Sequence, residues 1–347
     1  MRAVVYQKPG RANGRIMEVP TPEPGLREVR VKVLACAICK PAESSHDRDG
    51  SVLGVYPAVP GHEFAGVVDA IGCDVHSIRV GDRVTADNAY PCGVCHFCRN
   101  GVPTMCEQYR AQGHNLPGGF AEYVICREEN LYRLPDELPM DHACLCELIN
   151  CCESCVRHAE LRYGESVVIL GAGSSGHILA QLFRNSSAGR VIALDLLPTK
   201  LARLTPFGVE TLAVDPEQPA QCLERLQQML PHGIDVLVDA AGDDGAMLEQ
   251  MMPLLAPEGR LVLYSFFYQA PKTFRIAPGL MIRKGLKIVS APLQTHSFGR
   301  SVEILRSGKL DPSGLISAVY PLEQYFEALD AVLSDPEMMK VVIHPHD

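Results

Sequence analysis

Along the first third of the chain, apolar residues alternate with charged or small ones in short runs. VRVKVLA (29–35) has the period of two that sets one face of a strand against a core, and FAGVVDAIG (64–72) is a short, nearly continuous apolar run of strand length. Turn signals at PGR, PTPEPG and PCG punctuate these runs, and the stretch predicts a many-stranded, loop-rich β domain. Near Pro139 the texture changes. From about Cys144 to His158 the spacing suits a helix, and VVILGAG (167–173) follows as a buried strand turning into a glycine loop. Strands are then expected at VIALD (191–195), IDVLVDAAG (234–242), GRLVLYSF (259–266) and LKIVSAP (286–292). Between them fall helical stretches HILAQLF (177–183), QCLERLQQML (221–230) and GAMLEQMMPLL (245–255). This alternation calls for an α/β fold with a parallel, doubly wound sheet. After about Ser290 come the helical stretches GRSVEILRSG (299–308) and PLEQYFEALDAVL (321–333), then a last strand, KVVIHP (340–345).

Composition narrows the partners. The 347 residues are 47% hydrophobic and 21% charged, as in ordinary soluble globular proteins, and the length suits two domains. A net charge of −9 and the lack of any Lys/Arg-rich run argue against nucleic acid or an anionic membrane as partner. No apolar run approaches the roughly eighteen residues of a membrane span, and MRAVVYQKPG has no secretory signal pattern, so a cytoplasmic protein is expected. In a reducing compartment the fourteen cysteines read as metal ligands, catalytic groups or small buried residues.

Two motifs carry local chemistry. CGVCHFCRNGVPTMC places Cys92, Cys95, Cys98 and Cys106 in a C-x2-C-x2-C-x7-C pattern, with Gly93, Gly101 and Pro103 as turn residues between them. Four thiolates close a tetrahedral zinc shell and leave no position for substrate, so this zinc is structural. GAGSSG lies between a strand and a helix, the context a dinucleotide loop requires. Gly171 permits the turn, Gly173 lets backbone approach a pyrophosphate, and Gly176 allows close packing of helix on sheet. The helix N-terminus offers N–H groups to phosphate. Asp195 ends the second strand, where a carboxylate accepts the ribose hydroxyls and repels a 2′-phosphate. Leu196 and Leu197 follow rather than a basic residue, which favours NAD over NADP. Cys39, His62, Glu63 and Glu147 are scattered and individually weak signals; together they would make an open site of thiolate, imidazole and carboxylates with room for a substrate oxygen.

With these residues in place the chain resembles the zinc-dependent medium-chain dehydrogenases, most closely the polyol and sorbitol dehydrogenase branch. The resemblance spans essentially the whole chain. It rests on VKVLACAIC, PGHEFAGVV, GDRV (81–84), the four-cysteine loop, GGFAEY (118–123), GAGSSG with Asp195, SGKLD and PLEQYFEALD. It implies a GroES-like β-rich catalytic domain from residues 1–155 and 290–347, with a Rossmann NAD-binding domain of residues 156–289 inserted. It implies one catalytic and one structural zinc per chain, with Cys39 and His62 as catalytic ligands and Glu63 as the carboxylate beside the histidine. The next position is open between Glu147, the polyol register, and the adjacent Cys146, the alcohol register; ELINCCESCVRHA otherwise follows the polyol pattern, although Leu148 stands where a proline is expected. Ser175 and Lys200 join the cofactor-binding residues, and Lys40 matches a basic position near the coenzyme pyrophosphate.

The implied reaction is reversible hydride transfer between NAD and a secondary hydroxyl of a polyol, sugar or cyclitol, in a homo-oligomer, dimer or tetramer. The 6% aromatic content without tryptophan suits a hydroxyl-rich substrate. Two rivals are a dehydrogenase of simpler alcohols or aldehydes with Cys146 at the zinc, and an NAD-binding protein without catalysis. Two departures from the family pattern bear on the chemistry. Pro41 stands where a hydroxyl residue usually begins a proton relay, leaving Glu43, Ser44, Ser45 or His46 as possible substitutes. Ser290-Ala291-Pro292 lacks the arginine of sorbitol-like members, which puts sorbitol itself in doubt. Cys144, Cys151, Cys152 and Cys155 read as buried packing, despite the C-x-x-C spacing of the last two.

Overall fold

The computed structural model describes residues 1–51, 53–242, 245–265, 273–292 and 297–347. In chain order the elements that position the site are β1 (Glu28–Ala37), α1 (Lys40–His46), β2 (Glu63–Ile71), β3 (Arg83–Ala86), β4 (Tyr123–Arg127) and β5 (Leu131–Arg133). There follow α2 (Cys146–His158), β6 (Ser166–Leu170), α3 (Ser174–Arg184), β7 (Arg190–Asp195), β8 (Glu210–Ala213) and β9 (Ile234–Asp239). The last are α4 (Ala246–Met251), β10 (Leu255–Leu263), β11 (Lys287–Ser290), β12 (Ile316–Pro321) and β13 (Lys340–His344). The chain divides into two compact units, Met1–Asn150 with Gln294–Asp347, and Cys151–Leu293.

The first unit is built on a mixed sheet ordered β12-β13-β1-β2-β3-β5, with β4 also paired to β1. Along β1, Val29, Val31 and Val33 are fully buried while Arg30 and Lys32 between them are not, as the alternation predicts. The alternation stops at Ala35, Cys36 and Ala37, which are all buried. There β1 lies between β2 and the C-terminal strand: Ala37 faces Glu63 on one side and Val342 on the other. The end of the chain is thus folded into the sheet beside Cys39.

In the second unit, six parallel strands are ordered β8-β7-β6-β9-β10-β11. The central strand β6 is wholly buried and, after Ser166, apolar to its end, because helices cover both faces of such a sheet. The glycine loop follows β6 at the middle of the sheet, where the strand order reverses and α/β folds bind ligands.

One expected helix ends early. The stretch 245–255 is helical only through Met251, followed by a 3-10 turn at Met252–Leu254 and by β10 from Leu255. Pro253 has no N–H to bond the carbonyl four residues back, and its ring crowds that turn. Phe266, at the end of the strand expected over 259–266, lies outside the described residues. Among the described residues, no helix is long and apolar enough to cross a membrane.

Candidate active site and cofactor loops

The four-cysteine loop folds on itself between a short helix, His96–Arg99, and a 3-10 turn, Pro103–Met105. Gly93 and Gly101 have φ of +75° and +76°, a left-handed backbone that few other residues adopt. The sulfurs of Cys92, Cys95, Cys98 and Cys106 lie within 4.8 Å of one another. Backbone N–H groups point at them: Cys92 and Gln108 donate to Cys106 Sγ at 3.2 and 3.3 Å, and Cys95 donates to Cys92 Sγ at 3.4 Å. Backbone donors pull the Cys95 thiol down to about 6 and lower Cys92 as well. Burial lifts the Cys98 thiol up to about 12, so metal binding must displace its proton; four converging sulfurs still suit a zinc thiolate shell.

A second donor set is assembled from distant stretches. Cys39 leaves β1 and precedes α1, where Pro41 costs nothing because the first helical turn has no N–H partner to lose. His62 follows Gly61, whose φ is +99° and where a Cβ would stand 2.7 Å from the Phe120 backbone nitrogen. Glu63 begins β2 and is fully buried. Ligand atoms of Cys39, His62 and Glu63 all lie within 4.8 Å of one another.

The charges around this set are unusual. Lys340, on β13, is buried and donates to Glu63 Oε1 and Oε2 at 2.6 and 2.5 Å and to the Ile38 carbonyl at 3.3 Å. Burial alone would lower its pKa, but the Glu63 carboxylate outweighs it and the net direction is up. Burial pushes the Cys39 thiol well up, and the carboxylates of Glu63 and Glu43 add to this. His62 goes well down, through burial and then the neighbouring His114 and Lys340, so its imidazole is neutral. Its Nδ1, buried, has no hydrogen-bond partner among the described residues. A half-buried thiol, a neutral imidazole and a buried carboxylate converging on one point suit a divalent cation such as zinc.

Glu147 stands in the first turn of α2 and is buried, as is Cys146. The 4.8 Å set does not include Glu147, yet its carboxylate acts on both Cys39 and Lys340, raising each pKa. The Cys146 thiol is shifted by burial alone. Of the loop after Cys39, Ser44 Oγ bonds the Pro41 carbonyl and Arg48, Ser45 Oγ donates to the Ala42 carbonyl, and His46 Nδ1 meets Tyr56 Oη at 2.9 Å. Glu43 alone turns to the donor set, its Oε1 lying 3.7 Å from His62 Nδ1. Burial, then the Glu63 carboxylate, pushes Glu43 up to about 8.

Sequence reasoning missed two residues here. Lys340 is one; its signal was a lone lysine opening an apolar strand. The other is His114, whose ring stacks on His62 with centroids 5.0 Å apart and whose Nδ1 meets Ser51 Oγ at 3.0 Å.

In the second unit, Gly171 has φ of +102°, and a Cβ on Gly176 would stand 1.9 Å from the Gly171 carbonyl oxygen. A Cβ on Gly173 would meet no protein atom within 4 Å. Packing therefore demands Gly176, while the open space at Gly173 is a cradle for a ligand to approach. Asp195 closes the loop: Oδ2 accepts from Ala172 N at 2.7 Å and Oδ1 from Leu197 N at 2.9 Å. Each carboxylate oxygen keeps a further lone pair for a ribose hydroxyl. Ser175 Oγ accepts from Tyr264 Oη at 3.3 Å, and Cys152 Sγ donates to the Ser175 carbonyl at 3.7 Å. Lys200 is half-buried on a short helix, Pro198–Ala202, and Lys40 is exposed at the start of α1. Of the cysteines expected to pack, Cys144, Cys152 and Cys155 are buried, while Cys151 is half-buried.

Residues 25–136 match the alcohol dehydrogenase GroES-like domain family, and residues 176–307 match the zinc-binding dehydrogenase family. The D-arabinitol dehydrogenase 1 of Uromyces fabae is 31% identical, over all of this chain and 97% of that protein. A zinc-binding dehydrogenase of Sinorhizobium meliloti 1021, solved bound to NADP, is 28% identical and superposes with a TM-score of 0.89 over 99% of each chain. An alcohol dehydrogenase of Escherichia coli CFT073, solved with NADH, is 26% identical with a TM-score of 0.88, again over 99% of each chain.

Replacing Lys340 with methionine strands the Glu63 carboxylate without a partner. Equilibrium urea unfolding should show a loss of about 3–5 kcal/mol. Glu63→Gln in the same background should recover part of it.

Proposed function

The chain belongs to the zinc-dependent medium-chain dehydrogenases, and on that premise we propose that it transfers hydride reversibly between NAD and a secondary hydroxyl of a polyol, sugar or cyclitol. The observation that carries this is the convergence of the half-buried Cys39 and the buried His62 and Glu63 on one point. The similarity to a D-arabinitol dehydrogenase over the whole chain supports the substrate class. When bound, zinc at this set supplies Lewis acidity toward a substrate hydroxyl and NAD supplies the hydride acceptor.

The residues divide the remaining work. Cys39 and His62 hold the metal, and Cys39 must first give up its thiol proton. Glu63, both oxygens fixed by Lys340, supplies negative charge beside them without moving. Glu147 rather than Cys146 fills the open position, its carboxylate acting on Cys39 and Lys340 from the first turn of α2. Cys92, Cys95, Cys98 and Cys106 hold the structural zinc. Gly171, Gly173, Ser175 and Gly176 seat the pyrophosphate, Asp195 takes the ribose hydroxyls, and Lys200 and Lys40 add positive charge for the coenzyme. Residues 1–155 and 290–347 serve as the catalytic domain and 156–289 as the NAD-binding domain. We place the protein in the cytoplasm as a homo-oligomer, dimer or tetramer, without nucleic-acid or membrane partners, in keeping with its net charge of −9.

Elemental analysis of protein purified without chelator should find two zinc equivalents per chain, and NADH absorbance should rise with NAD and a polyol panel. His62→Ala should hold one zinc and lose turnover. One equivalent in the native chain would overturn the reading. The pH dependence has a definite sign. Without metal Cys39 is held protonated, so zinc binding releases a proton and retention of the second zinc should weaken as pH falls.

Asp195 sets the coenzyme preference through charge-assisted hydrogen bonds to the ribose. Asp195→Ala should weaken NADH binding on the order of 10–100-fold by fluorescence titration. It should affect NADPH far less.

A further inference from the structure

Glu43 faces the donor set, and the reading above leaves it without a task. It is 1% exposed, and among the described residues its Oε2 has no hydrogen-bond partner. A carboxylate in that state is costly to bury, so its placement calls for a positive or donating group. The local sequence aims it. Glu43 stands four residues after Cys39, and its N–H bonds the Cys39 carbonyl at 3.0 Å. One helical turn therefore puts the thiol and the carboxylate on the same side of the chain. From there Glu43 Oε1 reaches to 3.7 Å from His62 Nδ1, which is buried and equally unpartnered. The hydroxyls of Ser44 and Ser45 and the ring of His46 are engaged elsewhere.

We propose that Glu43 is the positioning residue for His62. Its carboxylate accepts the Nδ1 proton of the imidazole and so fixes the tautomer in which Nε2 carries the lone pair for the metal. Histidine ligands need such a partner on their second nitrogen, both to hold the ring and to raise its basicity. Contacts of this kind are often long before a site is loaded. The inference rests on the reading of Cys39 and His62 as zinc ligands.

The test compares native protein with Glu43→Gln and Glu43→Leu, each loaded with zinc and challenged with chelator. The four-cysteine zinc serves as the internal reference. Glu43→Leu should hold the second zinc 10–100-fold less tightly, and Glu43→Gln, which keeps a neutral acceptor, should fall between. Cobalt in place of that zinc should show a shifted visible spectrum in both variants. The metal-stripped proteins separate positioning from structure. Stripped Glu43→Leu should melt no lower than the stripped native chain, because it removes a buried carboxylate with an unmet oxygen. Equal zinc retention in Glu43→Leu would overturn the proposal, and so would both stripped variants melting below the native. If the native chain itself holds zinc only in the four-cysteine loop, the zinc-site reading has failed and this inference falls with it.

Discussion

The ammonium of Lys340 rests on both oxygens of Glu63, out of reach of water, and the geometry of the first unit depends on that contact. Taking two charges into the interior is expensive, and the pair is tolerable only because the hydrogen bonds are short and the Ile38 carbonyl takes a further donor position. Such a pair is a poor source of stability compared with apolar side chains of similar size. It is strict about geometry. For it to form, β13 must lie beside β1 in one register, and β1 beside β2 in another, so that Ala37 stands between Val342 and Glu63. Those registers are the ones that bring Cys39, at the end of β1, to His62, just ahead of β2.

That dependence explains which parts of the site were legible in the sequence. The four-cysteine loop and the glycine loop are local: their groups lie within a short span, and turn residues between them announce the fold-back. Asp195 is nearly as readable, because the strand after a dinucleotide loop ends at a known distance. Cys39, His62 and Glu147 could be paired only through resemblance to a family, since nothing in their own surroundings links them. Lys340 and Glu63 are 277 positions apart, and no periodicity along the chain says that the last strand lies against the first long one. His114 was unreadable for the same reason; it meets His62 because of how a loop returns to the sheet.

Other departures are local and follow from single residues. Pro41 removes a hydroxyl expected after the zinc cysteine, yet it sits early enough in α1 to leave the helix intact, and the helix carries Glu43 round to face His62. Helical geometry, which an extended loop would not give, is what turns that carboxylate toward the histidine. Pro253 has the opposite effect, ending α4 where the apolar pattern continues. The rule that proline closes a helix was available beforehand; the apolar run through Leu255 outweighed it because strand and helix interiors look alike over so few residues.

The charge balance of the donor set leads to its chemistry. Three buried carboxylates, Glu43, Glu63 and Glu147, and the thiol of Cys39 share their surroundings with one buried ammonium. Without further positive charge the set keeps protons that such groups do not ordinarily hold near neutrality: the Cys39 thiol is pushed well up and Glu43 to about 8. Lys340 neutralises Glu63 alone. The excess of negative donors that remains is what a divalent cation of the zinc type would satisfy, and it would displace the Cys39 proton as it did so. The four-cysteine loop differs in this respect, because three of its cysteines are half-exposed and backbone donors lower two of them, Cys92 and Cys95, although burial lifts Cys98. A shell of four thiolates, closed to any further ligand, binds its metal to hold a loop. A shell that must be forced to ionise in the interior places a strong Lewis acid where a substrate oxygen can use it.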